Sequence, residues 1–175
     1  MSIYKIRNIF IAALILIVAF VLQTSVFSRM PLFSCTPNLV LVLVFIYGYS
    51  NSKIAGMLMG LFGGLMIDIF FCDIIGYHAL ILLIIGFVSG IWDSVFYSDD
   101  LYVPLILLVF SDVIYGVMYY IVWYILQSRF QLGFYLLQVF LPELLLTFIA
   151  GVILYKPVTA MITKLKELPE DLEKG

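Results

Sequence analysis

From Asn8 to Ser28 the chain runs 21 residues without a charged side chain, and after Arg29 it runs another 23 before Lys53. A helix needs about 20 apolar residues to cross the hydrocarbon core of a bilayer, so runs of this length read as transmembrane helices. The pattern persists to the end. Of the 175 residues, 65% are hydrophobic and only 11% charged, whereas soluble domains carry about 25% charge. There is too little polar surface to cover a globule in water. No basic patch offers a nucleic-acid site.

Breaks in the apolar pattern divide the chain. The first segment is 8–27. Lys5 and Arg7 ahead of it resemble a secretory leader, but no small-residue cleavage site follows, so it is expected to stay as the first helix. The second, 37–49, is short, with Thr36 as the expected N-cap and Pro37 at the first helical position. The others are 54–72, 77–97, 101–126 and 133–155. The expected architecture is an all-α membrane protein, a six-transmembrane-helix bundle over residues 1–158 with a charged cytoplasmic tail at 159–175. Six spans put both termini on one side. If that side is cytoplasmic, seven of the nine basic residues fall inside (Lys5, Arg7, Lys53, Lys156, Lys164, Lys166, Lys174), leaving Arg29 and Arg129 outside. The positive-inside rule favours that arrangement. A re-entrant pairing of the second and third segments keeps the same parity.

Within the third segment Gly56, Gly60, Gly64 and Asp68 recur every four residues and lie along one helical face. Gly63 widens it. Glycines at this spacing let another backbone approach closely. Gly86 and Gly90 repeat the pattern in the fourth segment. Asp68 stands at the outer end of the face, either capping the Asp73–Gly76 turn or meeting a ligand or partner. Asp112 and Glu143 fall deep in the fifth and sixth segments, where an unpaired charge costs ~3 kcal/mol or more. They are either hydrogen-bonded structural groups or part of a polar site facing a cavity or partner helix. His78 is expected to bond Asp68 or Asp73. A single histidine without a second nitrogen or thiolate ligand does not define a metal site, so no metal and no cofactor is expected. Cys35 and Cys72, both at the outer face, either pair or pack as small apolar residues. Tyr115, Tyr119, Tyr120, Trp123 and Tyr124 form a dense aromatic group, read as packing or as a pocket wall. No nucleophile–base constellation or phosphate loop is present.

Four stretches together carry a resemblance: Leu22-Gln23-Thr24-Ser25, then Pro37-Asn38-Leu39, then Gly56 with Gly60-Leu61-Phe62-Gly63-Gly64-Leu65-Met66-Ile67-Asp68, then Gly76-Tyr77-His78-Ala79-Leu80. In these, and in the length and order of its segments, the chain resembles the rod shape-determining protein MreD family over essentially its whole length. The resemblance implies a non-enzymatic component of the bacterial inner membrane, multi-pass with both termini cytoplasmic. It would serve cell-wall elongation beside an MreC-like periplasmic protein, peptidoglycan synthases and an actin-like filament protein. It also implies a fold similar to the substrate-binding subunits of vitamin ECF transporters. The competing expectation is therefore a subunit that binds a vitamin-like molecule, with a membrane enzyme a distant third.

Overall fold

A computed structural model describes residues 3–26, 35–72, 74–95, 102–122, 133 and 135–173. Asp73, Arg29, Trp123, Tyr124, Arg129 and Lys174, which entered the sequence reading, lie outside that set. Every regular element among the described residues is helical: α1 (Ile3–Val21), α2 (Leu39–Ser50), α3 (Lys53–Phe71), α4 (Tyr77–Val95), α5 (Tyr102–Tyr120) and α6 (Leu141–Glu173). Wider π-type turns extend α1 through Leu22–Val26 and lead into α6 through Tyr135–Phe140. Three helices are long and apolar enough to cross a membrane: Lys53–Phe71, Tyr102–Tyr120 and the unit Tyr135–Lys166. Phe10–Val26, Leu39–Ser50 and Tyr77–Trp92 are shorter apolar helices.

The shortest helix is the centre of the bundle. All of Leu39 to Tyr49 is buried, with Val40, Leu41, Val42, Val44, Phe45 and Ile46 wholly inaccessible. A helix that is apolar on every side belongs inside other helices. The 12 residues of α2 rise only ~18 Å, and that suffices because α2 is sheathed by protein. Its neighbours α1, α3, α5 and the early turns of α6 expose their large apolar side chains, among them Phe10, Phe62, Phe70, Ile106 and Ile153.

Burying the start of α2 leaves amide groups that water cannot reach, and each must find a partner. Leu41 N–H donates to the Asn38 side chain, Val40 N–H to Gln23 of the α1 extension, and Asn38 N–H to the Thr147 hydroxyl of α6. The N-cap is thus Asn38, not Thr36, and the helix begins at Leu39, not Pro37. The Asn38 side-chain Oδ1 accepts from Leu41 N–H at 3.2 Å, the contact that defines a capping residue. At the other end Lys166 Nζ donates to the Ser50 carbonyl at 2.7 Å, a basic side chain on a final carbonyl.

Contacts fix the directions. Asn38 meets Thr147 and Ser50 meets Thr159, so α2 and α6 run parallel. Along the α3–α4 pair Gly64 faces Ala79 and Gly90 faces Lys53, so these two are antiparallel. On α1, Asn8 Nδ2 donates to Leu165 O at 3.2 Å, while Gln23 sits at the opposite end beside Val40. Successive helices therefore alternate, and the start of α1 at Asn8 meets the later part of α6 at Leu165 at one end of the bundle.

The sixth segment departs from the expected single helix starting at Gly133. Pro142 has no N–H and cannot bond the carbonyl four residues back, at Gln138. The turn widens there, and the Cys35 thiol donates to Gln138 O and Val139 O at 3.3 and 3.4 Å. Nor does the helix stop where the apolar run ends at Tyr155. It continues to Glu173, and Val158 and Ile162 remain in the core. The expected boundary at 158/159 thus falls inside one continuous helix.

Candidate functional site

Gly56, Gly60, Gly64 and Asp68 all face α4. Near the end of α2 and the start of α3, Gly48 of α2, Gly56 of α3 and Gly86 of α4 meet at one point. A β-carbon on Gly48 would lie 2.6 Å from Gly86 O, and one on Gly56 would lie 2.6 Å from Gly48 Cα. Gly60 abuts the Leu82 backbone, Gly64 that of Ala79 and Gly90 that of Lys53. Gly63 instead faces Val40 and Leu16. Gly48 escaped the sequence reading because it is a lone glycine, and its partners are distant in the chain.

The glycine face ends at Asp68, which is fully buried. Its Oδ2 accepts from Gly76 N–H at 2.9 Å and Ala79 N–H at 3.1 Å. Its Oδ1 accepts from His78 N–H at 3.0 Å and faces His78 Nδ1 at 2.8 Å. A side chain of α3 thereby caps the first turn of α4, satisfying amides that would otherwise be orphaned. Gly76 makes the link with φ +99°, a left-handed conformation that favours glycine. A buried carboxylate is costly alone, but three backbone donors and the positive end of α4 offset that cost. The His78 ring is packed by Tyr77, Tyr115 and Tyr119, with centroids 5.1, 5.9 and 6.1 Å away. Tyr77 also donates its hydroxyl proton to Met118 O. The Cys72 sulfur lies 3.3 Å from His78 Nδ1. Cys35 and Cys72 share no disulfide.

Asp112 and Glu143 stand across the α5–α6 contact, within electrostatic range of each other. Asp112 is 3% exposed, and its Oδ2 has no hydrogen-bond partner among the described residues. Tyr115, one turn along α5, lies beside the Asn38 side chain and within electrostatic range of Glu143. Asn38, Asp68, Cys72, His78, Asp112, Tyr115, Glu143 and Thr147 thus form a polar layer. It lies in the half of the bundle away from the chain termini. In sequence these residues are scattered over more than a hundred positions; His78 close to Asp68 was the pairing that could be read locally.

The two buried aspartates differ in a way that can be measured. Asp112 has an unpartnered oxygen and a second acid beside it, and two nearby carboxylates cannot both ionise cheaply. Asp112→Asn keeps the shape and removes the charge. It is expected to leave thermal stability in detergent within ~1 kcal/mol of the native chain, or to raise it. A large loss of stability would mean that the ionised carboxylate is required.

These features define a multi-pass, all-helical membrane protein whose helices are locked by glycine contacts and whose buried polar layer ties five of them together. A sequence model of the rod shape-determining protein MreD family matches residues 4–165, nearly the whole chain, and the chain belongs to that family. It is accordingly a membrane component of the rod-shape machinery. No curated protein and no solved structure matches it.

Proposed function

We propose that this chain acts in the bacterial inner membrane as a non-catalytic scaffold of cell-wall elongation, holding partner proteins rather than transforming a substrate. The family match over residues 4–165 carries the reading. Lys53, Lys156, Lys164 and Lys166 lie toward the end of the bundle where Asn8 meets Leu165, and the positive-inside rule supports a cytoplasmic placement of that end. The polar layer then lies toward the periplasmic side, within reach of an MreC-like partner anchored there. Peptidoglycan synthases and the actin-like filament protein are the further partners the family implies. A buried, hydrogen-bonded layer suits a scaffold because it fixes the relative positions of the helices whose outer faces meet those partners.

The vitamin-binding alternative fits less well. The hollow between Gly116, Tyr120, Tyr135 and Phe140 is lined by apolar surface and holds about 160 Å³, whereas small-molecule sites usually occupy about 300–1,000 Å³. Affinity purification after in-cell cross-linking tests the scaffold. An MreC-like protein and an elongation synthase should come down with the native chain. Recovery of neither from growing cells, with the bait intact in the membrane, would overturn the reading.

A further inference from the structure

We propose that Asp68, Cys72 and His78 form a binding site for one divalent transition-metal ion of the zinc class. One donor atom from each residue lies within 4.8 Å of the other two. The His78 Nδ1 sits 2.8 Å from Asp68 Oδ1 and 3.3 Å from Cys72 Sγ. Zinc bonds of about 2.0–2.3 Å at tetrahedral angles separate such donors by about 3.3–3.6 Å. Opening the two edges at His78 by a few tenths of an ångström, and bringing Asp68 and Cys72, which lie within 4.8 Å of each other, to the same separation, converts the cluster into three corners of a tetrahedron. The fourth corner is left for water, and Cys72, which is only half-buried, supplies the way in.

The donor set suits this class of ion. A thiolate, an imidazole and a carboxylate together favour zinc and its neighbours over magnesium or calcium, which prefer all-oxygen sites. A cation at the centre meets all three lone pairs at once. On binding, the neutral imidazole moves its proton to Nε2 and the thiol proton is released to solvent. Asp68 need not give up the cap: Oδ2 keeps Gly76 and Ala79, and Oδ1 keeps the His78 amide and turns its other lone pair to the metal. The carboxylate and thiolate then set the local charge. Metal binding would clamp α3 to α4 beyond the reach of the glycine contacts.

The site rests on this geometry and not on any role in cell shape, so its failure and the failure of the scaffold reading are distinct. The test is a cobalt(II) titration of the full-length chain, purified in detergent and stripped of metal. Binding should saturate at one equivalent with a thiolate-to-cobalt charge-transfer band, and zinc should remove the band on stoichiometric addition. Cys72→Ser, which leaves the Asp68 cap intact, should abolish the band, while Cys35→Ser should retain it. No band from the folded native chain at equimolar cobalt would overturn the proposal. So would a band that persists in Cys72→Ser.

Discussion

Gly56→Leu is expected to prevent the chain from accumulating as a folded membrane protein. The reason is what surrounds the position. A β-carbon there would lie 2.6 Å from Gly48 Cα and 2.9 Å from the Gly86 carbonyl carbon. Both neighbours are main chain, and no rotamer change can move them. The helices must separate along their length, exposing the α2–α3–α4 core and the Ser89–Gly86 hydrogen bond at 2.9 Å. Overpacking against side chains typically costs about 1–3 kcal/mol. Displacing backbone on two sides should exceed the upper figure, enough to remove most of a marginal stability of about 5–15 kcal/mol. Even Gly56→Ala should lower the thermal midpoint clearly. Gly151→Ala is the contrast: its nearest neighbours are the flexible tips of Leu108, at 3.2 and 3.4 Å, and it should be tolerated. Phe62→Ala, on an exposed apolar position, should be close to neutral. Membrane-fraction levels and thermal unfolding in detergent separate these outcomes. A well-folded Gly56→Leu would show that the helices do not cross where they are placed.

The second large effect is at Asp68. Here the carboxylate is required as an acceptor at every lone pair in use, because each neighbour brings an N–H. Asp68→Asn puts an NH2 group against the amides of Gly76 and Ala79, or of His78. Asp68→Ala leaves these amides without acceptors in a buried place. Each lost partner costs about 1–3 kcal/mol, and breaking a buried charged network costs about 3–5 kcal/mol. Both variants should therefore unfold far below the native chain and loosen the α3–α4 junction, seen as faster amide exchange over Gly76 to Leu80. Asp112→Asn should do neither. The pair of results distinguishes an aspartate held by donors from one with an unpartnered oxygen.

These two positions also show what the sequence could reveal. The glycine face of α3 was legible because its four-residue spacing is local, and Asp68 was legible as its end. The helix that fills the face was not, since Gly48, Gly86 and Ser89 come from two other elements. The N-terminal stretch Leu22-Gln23-Thr24-Ser25 and the later Pro37-Asn38-Leu39 were recognisable as marks of a family but had no stated cause. The fold supplies one: Gln23 and Asn38 together cap the buried start of α2. The shortness of the second segment looked like a weakness in the count of spans. It follows instead from α2 being enclosed by protein, a tertiary fact that no single window of sequence contains. The polar layer was hidden for the same reason. Asp112 and Glu143 were conspicuous one at a time, but Thr147 and Tyr115 draw their importance from Asn38, which lies more than seventy residues away.

As a member of the rod-shape machinery, this membrane-embedded chain should be needed for the rod shape of its cell. The most direct test is to deplete it in its own rod-shaped host and measure cell width by microscopy over successive generations, with a plasmid copy as control. Progressive widening to round cells is expected, reversed by the native copy and not by Gly56→Leu. Rods of unchanged width after the chain has disappeared from the membrane would contradict it.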